Sequence, residues 1–489
     1  MPIDDKESAM TTRTRIRAGQ VIAFQDGRHC LLEDGEVVLH GDRIIHVGRA
    51  FAGEVDREID ARRQLVTPGL INTHTHVTTP ASRGLREDGG NPLFHMSGLY
   101  EYLPITWQMP PEDAAICAEA TLIELLRNGS TTALVLGTSI PEEVAAIAGR
   151  LGMRLYLSPG YKSASWGIED GARVGYTHDE AGGLAGLERN IDLFRTLDRS
   201  HGDLVRLFLG PLQVDTCSPE LLQRSAGAAR ELGALVQIHA GQSLVEFQEI
   251  RRRSGLTPIQ LLDSVGLLGP HVSLAHCIFV AGHSWTATPA ENDLQLLADS
   301  GTHVAHCPGV FARSGVALES LARYLRAGVR MALGTDSFPQ DLLQEMRLAA
   351  LLAKLVERDA RVTTAGELFD LATLGGADLL DRPDLGRIAP GCQADLLYFS
   401  LNRVNLSPAR DPLRNLVYSA TGPDVARVMV GGRTVVDRGR VLGTDEPVVA
   451  AAFDKAAQRL WATLPGVDWA RRDLEQLAPL SLPHWDDER

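Results

Sequence analysis

An apolar run, Val66-Thr-Pro-Gly-Leu-Ile-Asn-Thr, is closed by His74-Thr-His76. Side chains at i and i+2 of a strand share a face. His74 and His76 therefore aim both imidazoles at one point, and the usual reason for that arrangement is a metal ion. Two ordinary strand-end histidines are the plainer reading of this pair alone.

Comparable strand ends recur at Gln237-Ile-His239, Leu274-Ala-His276 and Leu333-Gly-Thr-Asp336. Histidines placed only for packing would not fall so regularly on strand ends. Together these residues read as a site for one divalent metal, with His74, His76, His239 and Asp336 as ligands. Three histidines and an aspartate suit Zn²⁺, with Fe²⁺ as the alternative. Such an ion lowers the pKa of its bound water toward about 7 and makes a usable hydroxide. Asp336 is placed to touch both metal and water and to take the proton. His276 reads as a second catalytic group that orients the water or stabilises charge on the substrate. A fifth ligand or a structural residue is its alternative role.

These residues need strands that end at one place. Eight buried-strand candidates lie at residues 67–72, 132–136, 154–158, 205–209, 234–239, 271–276, 302–306 and 331–336. Helical patterns separate them, among them 111–128, 141–150, 219–232, 291–299, 318–327 and 340–356. Several open with Pro, and Gly129, Gly233 and Gly301 stand at C-terminal cap positions. Strand and helix in alternation predict an α/β fold, a (β/α)8 TIM-like barrel whose active site sits at the C-terminal strand ends. A doubly wound open sheet is the alternative.

Both flanks read as short strands with turns. Hairpins are expected around Gly41-Asp42, within Val37–Val47, and around Gly431-Gly432, within Arg427–Asp437. Neither flank is long enough for a good core alone. Together they predict one small composite β-sandwich with the barrel inserted into it. The expected division is a disordered leader at 1–14, the N-terminal β-sandwich segment at 15–66, and the barrel at 67–385. The C-terminal β-sandwich segment follows at 386–445, then a C-terminal helix and tail at 446–489.

The 489 residues carry a net charge of −14, which makes nucleic acid and anionic membranes poor partners. No apolar run is long enough to span a bilayer, and the N-terminus lacks a signal-peptide core. Six cysteines without a CxxC motif read as reduced, mostly buried thiols of a cytoplasmic protein. The expected partners are a small-molecule substrate and further copies of the chain, as a homodimer or higher homo-oligomer.

Pro68-Gly-Leu-Ile-Asn-Thr-His-Thr-His76, with His239, His276 and Gly334-Thr-Asp336, resembles the amidohydrolase superfamily. Within it, the chain is similar to the cytosine deaminase-like, atrazine chlorohydrolase-like branch. Gly129-Ser-Thr-Thr132, His306-Cys-Pro308 and Gly386-Arg-Ile-Ala-Pro-Gly-Cys-Gln-Ala-Asp395 support the resemblance, which runs from about Ile16 to Val441. It implies a (β/α)8 barrel, a composite β-sandwich, one catalytic divalent metal, and hydrolytic displacement at an sp² carbon. Binuclear members carry a bridging carboxylated Lys after strand 4. The matching segment here, Phe208–Cys217, has none, which favours a single ion.

Two positions depart from that branch. Its deaminases place a proton-shuttling Glu three residues after the strand-5 His; His239-Ala-Gly-Gln242 puts a Gln there, which is no general acid. Gln242 remains able to hydrogen-bond a substrate. Glu246 is a candidate stand-in, with a solvated helix face as its plainer role. The branch's Ser-Asn after His-Cys-Pro is Val310-Phe311 here, an apolar wall in place of a polar contact. The longest loop for lining a pocket runs from Val77 to about Pro110 and holds Phe94, His95, Tyr100, Tyr102 and Trp107; Trp166, Trp285 and Phe338 follow later strands. Expected substrate contacts are Gln242, His276, Phe311, Trp107, Tyr102 and His95.

The resulting expectation is a mononuclear metal-dependent hydrolase, aminohydrolase-like or chlorohydrolase-like. It displaces an amine, ammonia or halide from a carbon of a substituted N-heteroaromatic or related compound. Hydrolysis of an amide, urea or carbamate at the same metal site is the alternative reaction. A non-catalytic metal-binding scaffold is the alternative of another class.

Overall fold

The computed structural model describes residues 12–85, 87–89, 91, 96–101, 103–289 and 292–485. Residues 1–11 of the expected leader, and with them His95 and Tyr102, lie outside the described residues. Strand β1 begins at Arg13, inside the stretch that reads as leader.

The chain opens with four strands, β1 (Arg13–Gln25), β2 (Arg28–His40), β3 (Arg43–Gly48) and β4 (Arg57–Pro68). In β1 the alternation Ile16 and Ala18 buried, Arg15 and Arg17 more exposed, follows the strand period of two. The inserted segment supplies β5 (Leu70–Thr75), β6 (Ser130–Leu136), β7 (Arg154–Ser158), the pair β8 (Ala164–Glu169) and β9 (Arg173–His178), and β10 (Val205–Leu207). It continues with β11 (Val236–Ala240), β12 (Val272–His276), β13 (His303–His306) and β14 (Arg330–Leu333). The last four are β15 (Leu396–Ser400), β16 (Val425–Val430), β17 (Arg433–Asp437) and β18 (Arg440–Val441).

The two flanks join in one mixed eight-stranded sheet, ordered β18-β17-β16-β15-β4-β1-β2-β3. The seam between them is the antiparallel β4–β15 pair, with Val66 opposite Tyr398. Both expected hairpins form: His40 pairs with Arg43 around Gly41-Asp42, and Val430 with Arg433 around Gly431-Gly432. The two turns touch. A Cβ on Gly432 would lie 2.3 Å from the Gly41 carbonyl oxygen, so only glycine permits the contact. Ile16, Val21, Val37, Ile44, Ile388 and Tyr398 share a core separate from that of the inserted segment.

The inserted segment forms two four-stranded parallel sheets, β10-β7-β6-β5 and β11-β12-β13-β14. Every residue of β5, β6, β7, β11, β12 and β13 is buried, as parallel strands covered on both faces require. Parallel bridges join the two sheets at both sides, Leu209 to Val236 and Thr75 to Asp336. All eight expected strands are present, shifted by one to three residues at most of their ends. The first starts at Leu70, because Thr67 and Pro68 complete β4 of the flanking sheet.

Helices follow most strands. Pro219–Leu232 matches its expected range and is capped by the Ser218 side chain and by Gly233 at φ 61°. The hairpin β8–β9 was not expected. It packs Trp166 against Tyr100 of helix Ser97–Glu101. The tail helix, Glu446–Trp461, lies on the long helix Pro111–Arg127, with Arg459 paired to Asp113. Among the described residues, no helix is long and apolar enough to cross a membrane.

Candidate active site

The four polar strand ends meet. His74 and His76 leave β5, His239 lies near the end of β11, His276 ends β12, and Asp336 stands three residues past β14. Backbone pairing fixes the first and last of these against each other. The Asp336 amide donates to the His74 carbonyl (2.9 Å) and the His76 amide to the Asp336 carbonyl (2.8 Å). Asp336 sits at φ 61°, a left-handed conformation that Asp tolerates better than most residues. That kink turns its carboxylate back toward the histidines.

The imidazoles are oriented from behind. Nδ1 of His76 faces the Leu136 carbonyl and Nδ1 of His239 the Leu212 carbonyl, each at 2.5 Å. Nδ1 of His74 faces Oε1 of Gln237 at 3.0 Å. That oxygen can only accept, because the Gln237 amide nitrogen is committed to the Thr73 carbonyl and to Ser273 Oγ. Each of the three rings therefore carries its proton on Nδ1 and presents an Nε2 lone pair to the centre.

Those lone pairs lack a counterpart. Nε2 of His76 and Nε2 of His239 are 3.2 Å apart. Two lone pairs at that distance repel unless a cation lies between them. Nε2 of His74 and both ring nitrogens of His276 are buried without a hydrogen-bond partner among the described residues. Asp336 contributes Oδ1 at 3.6 Å from His76 Nε2 and Oδ2 at 3.6 Å from His276 Nε2. Ligands about 2.1 Å from one ion stand roughly 3–4 Å apart, so these spacings suit a shared ion. The candidate ligand atoms of His74, His76 and Asp336, and those of His74, His239 and His276, lie within 4.8 Å of one another. The residues fit a divalent metal.

Burial sets the electrostatics. It pulls the pKa of His74 down to about 3, with His76 adding to the effect, and it pulls His239 and His276 well below the ordinary histidine value. Neutral imidazole is the form that binds metal.

Above the histidines lies a cavity of about 260 Å³. His76, His239, Asp336 and Gln242 line it together with Leu99, Leu103, Trp107 and Lys162. Gln242 and Trp107 thus stand where substrate contacts were expected. His276 and Phe311 do not. Both are nearly fully buried, at 1% and 3%, and they pack on each other with ring centroids 4.6 Å apart. The apolar Phe311 supports His276 from the side rather than forming cavity wall. Trp166 is spent elsewhere, its indole N–H donating to Asp215 at 2.8 Å.

Glu246 does not stand in for the missing acid. Its two oxygens accept the amides of Gly241 (2.7 Å) and Gln242 (2.9 Å), which holds the backbone that carries Gln242. Burial, with Asp215 nearby, raises its pKa to about 8. Lys162, Gln237 and the leucines of the cavity were not singled out from the sequence. Gln237 lies inside the motif that ends in His239, two residues earlier on the same strand face, and that spacing was the available signal.

A family described as "Amidohydrolase family" matches residues 65–435. The 5-methylthioadenosine/S-adenosylhomocysteine deaminase of Pyrococcus abyssi is 31% identical over 443 residues, covering 90% of this chain and 97% of that protein. The 5'-deoxyadenosine deaminase of Methanothermobacter thermautotrophicus is 31% identical over 431 residues, covering 87% and 95%. Among solved structures, an adenosine deaminase from Xanthomonas campestris with bound zinc superposes with a TM-score of 0.80 at 23% identity, covering 91% of this chain and 98% of that one. A mutant of atrazine chlorohydrolase TrzN from Arthrobacter aurescens TC1, complexed with zinc and atraton, gives 0.78 at 25% identity, covering 91% and 100%.

Proposed function

The chain belongs to the amidohydrolase family, and from that premise we propose a mononuclear zinc hydrolase that displaces an amine, ammonia or halide from an N-heteroaromatic carbon. One observation carries the reading: the Nε2 atoms of His76 and His239 face each other at 3.2 Å, both with Nδ1 committed to backbone carbonyls. His74, His76, His239 and Asp336 are the proposed ligands. Phe208–Cys217 offers no lysine to bridge a second ion.

When bound, a divalent ion there supplies Lewis acidity and lowers the pKa of a coordinated water to about 7. Asp336, with one oxygen toward His76 and the other toward His276, accepts the proton of the attacking water and returns it toward the departing group. His276, held neutral by burial with Nε2 3.6 Å from Asp336 Oδ2, orients the water or stabilises charge that develops on the substrate. Gln242 donates from its carboxamide to a ring nitrogen or carbonyl of the substrate, orienting the ring without titrating. Leu99, Leu103 and Trp107 cover its faces and exclude water.

The two parallel sheets, bridged at both sides, are proposed to be the halves of one (β/α)8 barrel covering residues 67–385, with the site at its C-terminal mouth. The flanking sheet, 15–66 with 386–445, is proposed as the composite β-sandwich. Five of the six free cysteines are buried, which suits a reducing cytoplasm. The test is metal analysis joined to a turnover screen of adenosine derivatives, aminopyrimidines and chlorotriazines. About one zinc per chain and release of amine, ammonia or chloride is expected. Two metals per chain, or turnover of amides and ureas alone, would replace this reading; metal without any turnover would point to a scaffold.

A further inference from the structure

The cavity is rich in hydrogen-bond donors and short of anions. Among the described residues, Asp336 is the one carboxylate that lines it, and it stands beside His76 and His239. Lys162 lines the same cavity, from the loop that follows β7. Its backbone is pinned on both sides: the Tyr161 amide donates to Gly210, Leu212 donates to the Tyr161 carbonyl, and Ser163 donates to Thr216. Its ammonium sits 4.4 Å from the centroid of the Trp107 ring, and among the described residues it has no hydrogen bond or ion pair. Asp215, whose charge acts on Lys162, accepts the Trp166 indole N–H and the Tyr176 hydroxyl.

A half-buried ammonium held over an indole face, with no carboxylate of its own, has lost part of its solvation, and an anionic ligand would restore it. A second observation points the same way. Gln242 is 3% exposed, lines the cavity, and leaves its carboxamide nitrogen without a partner among the described residues. Two unanswered donors thus line one cavity. In a chain with net charge −14, an uncompensated cation at this position is not part of a general basic surface.

We propose that this cavity selects N-heteroaromatic substrates bearing a carboxylate, with Lys162 pairing the carboxylate and Gln242 donating to the ring. The proposal rests on the hydrolase reading above and adds the class of its substrate. One cation matches the single charge of a carboxylate, whereas a phosphomonoester carries about −1.5 to −2 and asks for more. The volume of about 260 Å³ holds one small substituted ring. Burial also lowers the pKa of Lys162 from the ordinary lysine value, and a bound anion reverses that cost.

The test is calorimetric titration of the zinc-loaded protein at low salt with two matched pairs. These are 6-aminonicotinate against 6-aminonicotinamide, and 2-aminopyrimidine-5-carboxylate against its carboxamide. The native protein is expected to bind the acid at least tenfold more tightly than the amide in one pair or both. Lys162→Met is expected to erase that preference, and Lys162→Arg to keep some of it. Equal affinity for acid and amide, an unchanged preference in Lys162→Met, or no binding of any of the four would overturn the assignment. Ammonia release is read separately. An acid bound with preference but never hydrolysed leaves Lys162 assigned and defeats the reaction. Hydrolysis of the carboxamides without preference does the opposite.

Discussion

A Cβ placed on Gly334 would lie 2.8 Å from the His74 amide nitrogen and 2.9 Å from the His74 carbonyl oxygen. The strand that carries Asp336 therefore presses its backbone directly onto the strand that carries the first histidines. That contact lets the Asp336 amide reach the His74 carbonyl, and it sets the carboxylate's distance to the ligands.

Gly334→Ala is expected to push these two strands apart. Overpacking of this kind costs about 1–3 kcal/mol. The geometry adds a more specific consequence: zinc retention during dialysis against a chelator should fall along with the melting temperature. A variant that melts lower yet holds zinc as tightly as the native protein would show that the close approach serves stability alone.

Gln237→Met keeps the volume of the side chain and removes the acceptor that fixes the His74 ring. Removing the partner of a ligating histidine typically costs roughly 10–100-fold in metal affinity or activity. A loss of that size is expected in a competition titration with a chromophoric chelator. An unchanged zinc affinity would place the His74 ring under the control of packing rather than of Gln237.

Gln242→Glu places a titratable group in the cavity wall. Glu246 already holds the backbone at Gly241 and Gln242, so the new carboxyl should be carried in the same place. A gain of ammonia release from adenosine derivatives is expected, with a new acidic limb in the pH–rate profile. No gain on any amino-heteroaromatic would mean that the Gln is not what limits deamination.

The strand ends were legible because parallel strands buried on both faces read as apolar runs, and a polar group closing such a run stands out. His74, His76, His239, His276 and Asp336 all came from that one contrast. The second layer was not legible by it. Gln237 lies inside an apolar run, where a polar residue reads equally well as a satisfied core group. Phe311 looked like cavity wall because an apolar residue replaced a polar one, but which way it packs depends on His276. The β8–β9 hairpin carried a usable signal in Asp170-Gly171, whose φ values are 54° and 66°. Gly167 and Gly175 diluted the strand pattern on either side of it. Lys162 had no local signal at all. Its meaning comes from Trp107, which reaches it from a different loop.

Glu345 gives a pH dependence of stability away from the metal ligands. It is fully buried and accepts the Gly309 amide at 2.8 Å, and burial, with Asp341 nearby, raises its pKa to about 8. The folded protein thus holds this proton more tightly than the unfolded chain, whose value is 4.5. Its contribution is complete below pH 4.5 and declines as pH rises toward 8. Glu345→Gln keeps an oxygen for Gly309 and cannot ionise. The native melting temperature is expected to fall relative to this variant between pH 5 and pH 8.5. A constant difference across that range would show that Glu345 does not titrate in it.

The C-terminal tail packs against the segment that carries two of the cavity's apolar walls. Glu101 lies between Leu99 and Leu103, two of the cavity's apolar walls, and its side chain is fully buried. It accepts the Trp469 indole N–H and an Arg472 guanidinium N–H, each at 2.8 Å. The Trp469 ring also covers Gly171 at the turn of the β8–β9 hairpin, where a Cβ would lie 2.3 Å from it. One short segment of tail therefore holds both the helix and the hairpin that flank the cavity. Arg472→Ala leaves the Glu101 carboxylate buried without its cation, and removing one partner of a buried pair costs about 3–5 kcal/mol at most, less here because Arg472 is partly exposed. The disturbance falls on the wall that carries Leu99 and Leu103 rather than on the ligands. KM is expected to rise several-fold with kcat and zinc content nearly unchanged. Equal losses in kcat and zinc content would instead show that the tail supports the whole inserted segment.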